Sequence, residues 1–208
     1  MGKIGTNVTD GGNMTSEEII RMFEDRRTIR RFDESKKIED MTVCDMKRAA
    51  QLASSAMNRQ PMRYIYVRDE DTVNAIFDIT MWGAALPDGK GRPKKGERPA
   101  MFVVVLYEKE LSSRYVEFDS GLAVSNITLA AHLHGVASCI LGSANEKKLR
   151  DMLSIPENLE LSCAVAFGYP ACESRTVESD GENLKYYLDD NNNFVVPKRK
   201  IEDVTFDI

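Results

Sequence analysis

Residues 112–134 constrain the fold most: they form a long, Ala- and Leu-rich, nearly unbroken stretch that ends at Gly135. Such a stretch predicts one long central helix, with Gly135 just past its end, where a left-handed backbone comes most easily to glycine. Shorter elements must pack around it. Thr15-Ser16-Glu17-Glu18 reads as a helix start, a hydroxyl cap followed by early acids, with Ile19, Ile20, Met22 and Phe23 as its apolar stripe. Thr42-Val43-Cys44-Asp45 fits the Ser/Thr-x-x-Asp/Glu cap and predicts a second helix opening there and running to about Ser54. Residues 69–80 and 145–153 read as further helices, and the β-rich runs at 64–67, 102–106, 136–141 and 161–167 as strands. Between residues 83 and 99 recurrent Gly and Pro predict a loop. After Pro170 the chain turns polar and acidic, Asn191-Asn192-Asn193 marks a turn, and Phe194-Val195-Val196 is again strand-like. A strand so isolated needs a sheet edge, and the expectation is that it adds to the sheet of a second copy.

The whole chain has 208 residues, enough to bury a core, and a net charge of −5, which argues against nucleic acid or an anionic membrane as partner. Residues 1–14 read as a flexible N-terminal extension and residues 15–208 as a single domain, of which 171–208 form a C-terminal arm. The first residues lead into Asn, Thr, Asp and Gly rather than an apolar signal core, and the apolar runs are too short to span a bilayer, so the expected location is cytoplasmic. Cys44, Cys139, Cys163 and Cys172 show no paired spacing and read as reduced thiols. His132 and His134 fall roughly 200° apart on a helix, so no metal site is expected there.

Three clusters carry chemistry. Arg26-Arg27-Thr28-Ile29-Arg30-Arg31 supplies fixed donors suited to phosphate, although such a run also reads as a solvated turn. Ser54-Ser55-Ala56-Met57-Asn58-Arg59-Gln60-Pro61 offers donors and acceptors for a heterocycle, or equally a plain helix-ending turn. Ile140-Leu141-Gly142-Ser143 is a strand end where glycine admits a ligand close to the backbone, or an ordinary strand-to-helix turn.

In this order the clusters resemble the nitroreductase family of FMN-dependent oxidoreductases. Arg26-Arg27-Thr28-Ile29-Arg30 is similar to the family's Arg-Arg-Ser-x-Arg. The Ser54–Pro61 run is similar to its Ser-Ser-x-x-Asn-x-Gln-Pro, and Asp119-Ser120-Gly121 through Asn126, Ala130-Ala131 and Gly135 to its central-helix pattern. Ile140-Leu141-Gly142, Ile155-Pro156-Glu157 and Gly168-Tyr169-Pro170 resemble later landmarks, so the likeness covers roughly residues 17–205. It implies an α+β fold with a mainly antiparallel four- to five-stranded sheet flanked by helices, and an extended C-terminal arm.

By the resemblance, Arg26, Arg27, Thr28 and Arg30 would hold the phosphate and ribityl tail of non-covalent FMN, with Lys198, Arg199 and Lys200 closing over the phosphate. Ser54, Ser55, Met57, Asn58 and Gln60 would meet the flavin and ribityl groups, often from the partner subunit of a homodimer. Ile140 and Leu141 would lie by the ring, Leu141 against one face, and the Gly142 N–H would point at flavin N5 with Ser143 beside it. NAD(P)H would be the electron donor and a small electron-poor molecule, such as a nitroaromatic or quinone, the acceptor; no side chain is expected as acid or base. A flavin-cleaving or dehalogenating branch, or an FMN-binding store without turnover, are the alternatives. The chain departs from the pattern at Thr28, where Ser is usual, at Met62, where an aromatic is common, and at Ile140, where Trp is common. The basic loop at 83–98 is where a substrate lid would sit.

Overall fold

The computed structural model describes residues 14–208, so residues 1–13 of the expected extension lie outside the described residues. The elements are α1 (Ser16–Asp25), α2 (Asp40–Gln51), β1 (Met62–Val67), α3 (Glu70–Asp78), β2 (Met101–Glu108), α4 (Val116–Leu133), β3 (Ala137–Leu141), α5 (Glu146–Leu153) and β4 (Leu159–Gly168), followed by β5 (Ser174–Ser179), β6 (Tyr187–Leu188) and β7 (Phe194–Arg199). The first four strands form an antiparallel sheet in the order β1-β2-β4-β3.

Strand β2 is central, and residues 101–106 are fully buried. Alternation sends Phe102, Val104 and Leu106 to one face and Met101, Val103 and Val105 to the other, so both faces need cover. Helices α3 and α5 cover the first through Val73, Ile76, Phe77 and Leu149. Helices α2 and α4 cover the second through Met46, Ala50, Val124, Ile127 and Ala131, giving an α+β architecture of three layers. Asn126 Nδ2 donates to Ala49 O (3.1 Å), tying α4 to α2.

The helix ends show where local chemistry wins. Thr15 caps α1 with a reciprocal bond pair to Glu18. Helix α2 opens two residues before the expected cap: Thr42 is buried in its first turn, and Asp45 is drawn instead to His134 Nε2 (2.8 Å) at the end of α4. Helix α4 starts later than expected because the two serines before it bond locally, Ser112 Oγ to Lys109 O (2.7 Å) and Tyr115 N to Ser113 Oγ (3.2 Å). Its end is as read, with Gly135 at φ +71°.

The arm departs from expectation. Strand β7 does not wait for a second copy; it pairs in parallel with β5 and antiparallel with β6, a three-stranded sheet of this chain's own. Phe194 and Val195 are fully buried there. Helix α1, by contrast, buries no residue in this chain, and Ile19, Ile20 and Phe23 stand exposed. No helix among the described residues is long and apolar enough to cross a membrane.

Candidate functional site

Residues 26–33 run along the edge of the sheet beside β3. Thr28 bridges Ser138, Ile29 N donates to Ser138 O (3.0 Å), Phe32 bridges Pro170, and Ala171 N donates to Arg31 O (2.9 Å). Ile29 and Phe32 point inward as anchors. A Cβ at Gly168 would fall 2.9 Å from the Phe32 Cβ, so this crossing requires glycine.

The arginines around these anchors go to different places. Arg26 and Arg27 line a cavity of about 400 Å³ with Asp25, Thr128, His132, Glu173, Ser174 and Arg175, the last of which lies 4.0 Å from Asp189. Among the described residues neither Arg26 nor Arg27 has an ion-pair partner within 4.0 Å. Burial, and then the Arg26 charge, pull the Arg27 guanidinium below its ordinary value. Arg30, expected in the phosphate set, lines none of this. Its guanidinium lies 4.3 Å from the Tyr186 ring centroid and 5.3 Å from that of Phe194. Arg31 lies 5.5 Å from the Phe194 centroid and donates to Asn192 O (2.9 Å).

The cation that the arm brings to the cavity is Arg175, not the expected Lys198-Arg199-Lys200. In the β5–β7 register Lys198 is opposite Glu178, and Lys200 lies 3.9 Å from Glu178. That end of β7 is about 13 Å along the strand from Phe194, at ~3.3 Å per residue. Arg199 packs its guanidinium over Gly181. Arg175 had no sequence signal, because the cations at 198–200 form the denser run; Ser174 and Thr128 had none either.

A second cavity, of about 340 Å³, shares Arg26 and Thr128 with the first and runs along α4 to Ile140, past Ser120, Ser125, Ser162 and Cys163. Ser120 and Ser162 hydroxyls meet at 2.6 Å. Ile140 is half exposed and lines this cavity, whereas Leu141 is buried in the core. The strand therefore offers Ile140, and not Leu141, to anything held there. Gly142 lies just past the last pair of the ladder, Leu141–Ala164, with open space where a Cβ would be. Ser143 O accepts from Met81 N (3.1 Å), which sets the exposed Met81 beside this strand end, a pairing that no local pattern announced.

The third cluster is a turn with an unusual backbone. Met57 (φ 52°), Asn58 (φ 52°) and Gln60 (φ 49°) are three of the five non-glycine residues with left-handed backbone among the described residues. Each costs on the order of 1–2 kcal/mol, and such strain persists only where its surroundings impose it. Gln60 N donates to Ser55 Oγ (3.0 Å), and Ala56 N donates to the buried Asp119 carboxylate (2.8 Å). Met57, Asn58 and Gln60 are left exposed, and Ser54, Ser55 and Gln60 line a separate cavity of about 250 Å³ with Lys47, Arg63 and Asp119. This turn shares no lining residue with the arginine cavities. Helix α4 stands between them, turning Asp119 to one side and Glu117, Ser120 and Gly121 to the other. One copy of the chain does not bring the two expected halves together.

The loop at 83–98 is fastened rather than free. Arg92 pairs with Asp78 (3.2 Å) and lies on Phe77, and Arg98 donates to Asn74 (2.7 Å). Only Lys90, Lys94 and Lys95 of its cations are exposed and without an ion pair among the described residues.

The fold is thus a three-layer α+β architecture whose sheet edge carries a cavity lined by three arginines against the central helix. The chain belongs to the nitroreductase family: the family model matches residues 23–169. A relative from Archaeoglobus fulgidus, named "Putative NADH dehydrogenase/NAD(P)H nitroreductase", is 32% identical over 171 residues, covering 79% of this chain and 92% of its own. The fold is shared with a crystal structure from Desulfovibrio desulfuricans solved in complex with FMN (TM-score 0.67, 21% identity, 93% of this chain and 98% of that one). It is also shared with an FMN-dependent nitroreductase from Clostridium difficile R20291 (TM-score 0.61, 22% identity, 75% and 90%).

Proposed function

We propose that this chain is an FMN-dependent oxidoreductase that takes electrons from NAD(P)H and passes them to an electron-poor small molecule such as a nitroaromatic or quinone. The observation that carries the reading is the donor set of the arginine cavity. Arg26 and Arg27 make no ion pair within 4.0 Å among the described residues, although Asp25 and Glu173 also line the cavity, and the Ser174 hydroxyl, lining it too, is buried without a partner among them. Arg27 Nε donates to Arg26 O (3.0 Å), and the guanidinium donors that remain, with the unpartnered hydroxyl, fit a phosphate dianion, which satisfies several charge-assisted donors at once. In this reading Arg26, Arg27 and Arg175 hold the phosphate. The hydroxyls of Ser120, Ser125 and Thr128 follow the ribityl chain, and Ile140 gives the ring an apolar wall. Gly142 leaves its backbone open to close approach. Bound FMN supplies the two-electron chemistry; the protein supplies position, and no side chain is asked to move a proton.

The reading includes a homodimer. The Ser54–Gln60 turn completes the site from a second copy, since within one copy α4 separates it from the arginines. Exposed Phe118 and Leu122 on α4, with the bare stripe of α1, give that copy an apolar face to cover. Residues 15–208, arm included, act as one domain.

Purified protein titrated with FMN and with riboflavin, then mixed with NADH or NADPH and a nitroaromatic, tests this. Yellow protein, FMN bound at least about ten-fold tighter than riboflavin, and acceptor-dependent nicotinamide oxidation are expected. Protein that takes up no flavin, or binds riboflavin as tightly as FMN, overturns it.

A further inference from the structure

We infer that Asp119 is a positioning residue for flavin binding: its buried carboxylate holds the Ser54–Gln60 turn in the strained shape that the cofactor meets. The inference rests on the proposed function above. Asp119 belongs to α4 and is 3% exposed, yet its carboxylate reaches 63 residues back in sequence to accept the Ala56 N–H at 2.8 Å. Ala56 sits at the middle of the turn, immediately before Met57 and Asn58, both left-handed. On the far side Ser55 Oγ accepts from Gln60 N, and Arg63 Nη1 donates to Gln60 O at 3.0 Å. The turn is thus closed on itself by Ser55 but tied to the rigid central helix through Asp119. A charged group is expensive to bury, and α4 has small apolar neighbours that could fill the position without that cost. A carboxylate there earns its place as a strong acceptor for a backbone donor. Without that tie the turn is held only by its own bonds at Ser55 and by Arg63 on Gln60, and the exposed Met57 and Asn58 can relax from their left-handed backbone.

Two variants remove the bond from opposite ends. Asp119→Ala deletes the acceptor. Ala56→Pro deletes the donor from the turn's side, and because the ring Cδ takes the place of the amide hydrogen the Asp119 carboxylate must turn away; proline suits the first position of a helical turn, and Ser55 already has the extended backbone (φ −137°, ψ 151°) that a following proline needs. Asp119→Asn keeps an acceptor oxygen and removes the charge. FMN affinity is read by quenching of flavin fluorescence, and the turn itself by the rate of tryptic cleavage after exposed Arg59 in flavin-free protein. Asp119→Ala and Ala56→Pro should each weaken FMN about ten-fold or more and speed cleavage at Arg59, while Asp119→Asn stays within about three-fold of wild type on both. Should Asp119→Ala fail to fold, Ala56→Pro decides. Unchanged affinity and cleavage in Ala56→Pro, or a loss in Asp119→Asn equal to that in Asp119→Ala, overturns the inference. Wild-type protein that binds no FMN sinks the proposed function instead, and the cleavage rates still judge the role of Asp119.

Discussion

Arg26-Arg27 and Arg30-Arg31 are two halves of one run, identical in composition and separated by two residues, yet they meet opposite surroundings. The first pair lines a cavity against α4 that Asp25 and Glu173 also line, yet makes no ion pair within 4.0 Å among the described residues. The second pair lies on aromatic rings that the arm carries back: Arg30 on Tyr186 and Phe194, Arg31 on Phe194. The difference teaches that a basic run does not declare which of its charges await a ligand. Inward Ile29 and Phe32 fix the path, and tertiary partners then decide whether each guanidinium is left open or covered.

Breaking the covered half should have the largest effect. Phe194 is fully buried, with Tyr186 at 6.4 Å and both arginines on its face. Phe194→Ala should cost about 3–5 kcal/mol of stability in denaturant unfolding, from lost apolar burial plus the cavity left behind. A cost below about 1 kcal/mol, the scale of a surface change, would mean that the arm is not a packed sheet against the arginine run.

The open half comes next. Arg27→Ala should lower FMN affinity by about 10–100-fold, the ~1.5–3 kcal/mol of a hydrogen bond to a charged group, with little change in unfolding. Changing Lys198 and Lys200 together to Gln should lower it by less than about three-fold, because exposed, distant charges are screened. Titrating both proteins with FMN separates the two ideas. A larger loss in the lysine double variant would return the phosphate to the far end of β7 and remove Arg175 from the site.

Much of this was legible in the chain, and the exceptions share a cause. The central helix, the buried strand β2 and the Thr15 cap follow from residues within a few positions of one another, so periodicity and capping find them. The choice of Ile140 over Leu141 was also within reach, since alternation puts Leu141 on the core face with Cys139 and turns Ile140 away. Other features depend on partners far along the chain. Arg30 is covered by a ring 156 positions later, Asp119 holds a turn 63 residues before it, and Met81 meets Ser143. Strand β7 looked orphaned because its partner β5 is polar, with Arg175, Thr176 and Glu178 exposed, and carries no apolar pattern to mark it as a strand. Legibility fades with sequence separation.

The smallest effect sharpens the comparison by asking what else the open cavity holds. His132 lines it beside Arg26 and Arg27. Desolvation holds its imidazole below the ordinary value of 6.5, with Asp25 pulling it up and Arg26 pushing it further down. A histidine whose pKa is lower folded than unfolded binds its proton more readily when the chain is unfolded. Its contribution to stability is therefore intact above the unfolded value and is lost as pH falls through about 6.5 and below. His132→Gln carries no such penalty. The melting temperature of flavin-free wild type minus that of His132→Gln should thus decline between about pH 7.5 and pH 5.5, by a few degrees at most for a partly exposed group. Saturating FMN should shrink the decline, because a phosphate held by Arg26 and Arg27 would also favour the charged imidazole. A difference that is flat in pH without flavin would show that His132 does not feel the desolvated, cationic wall. A decline that FMN leaves untouched would place the phosphate somewhere other than the cavity of Arg26 and Arg27.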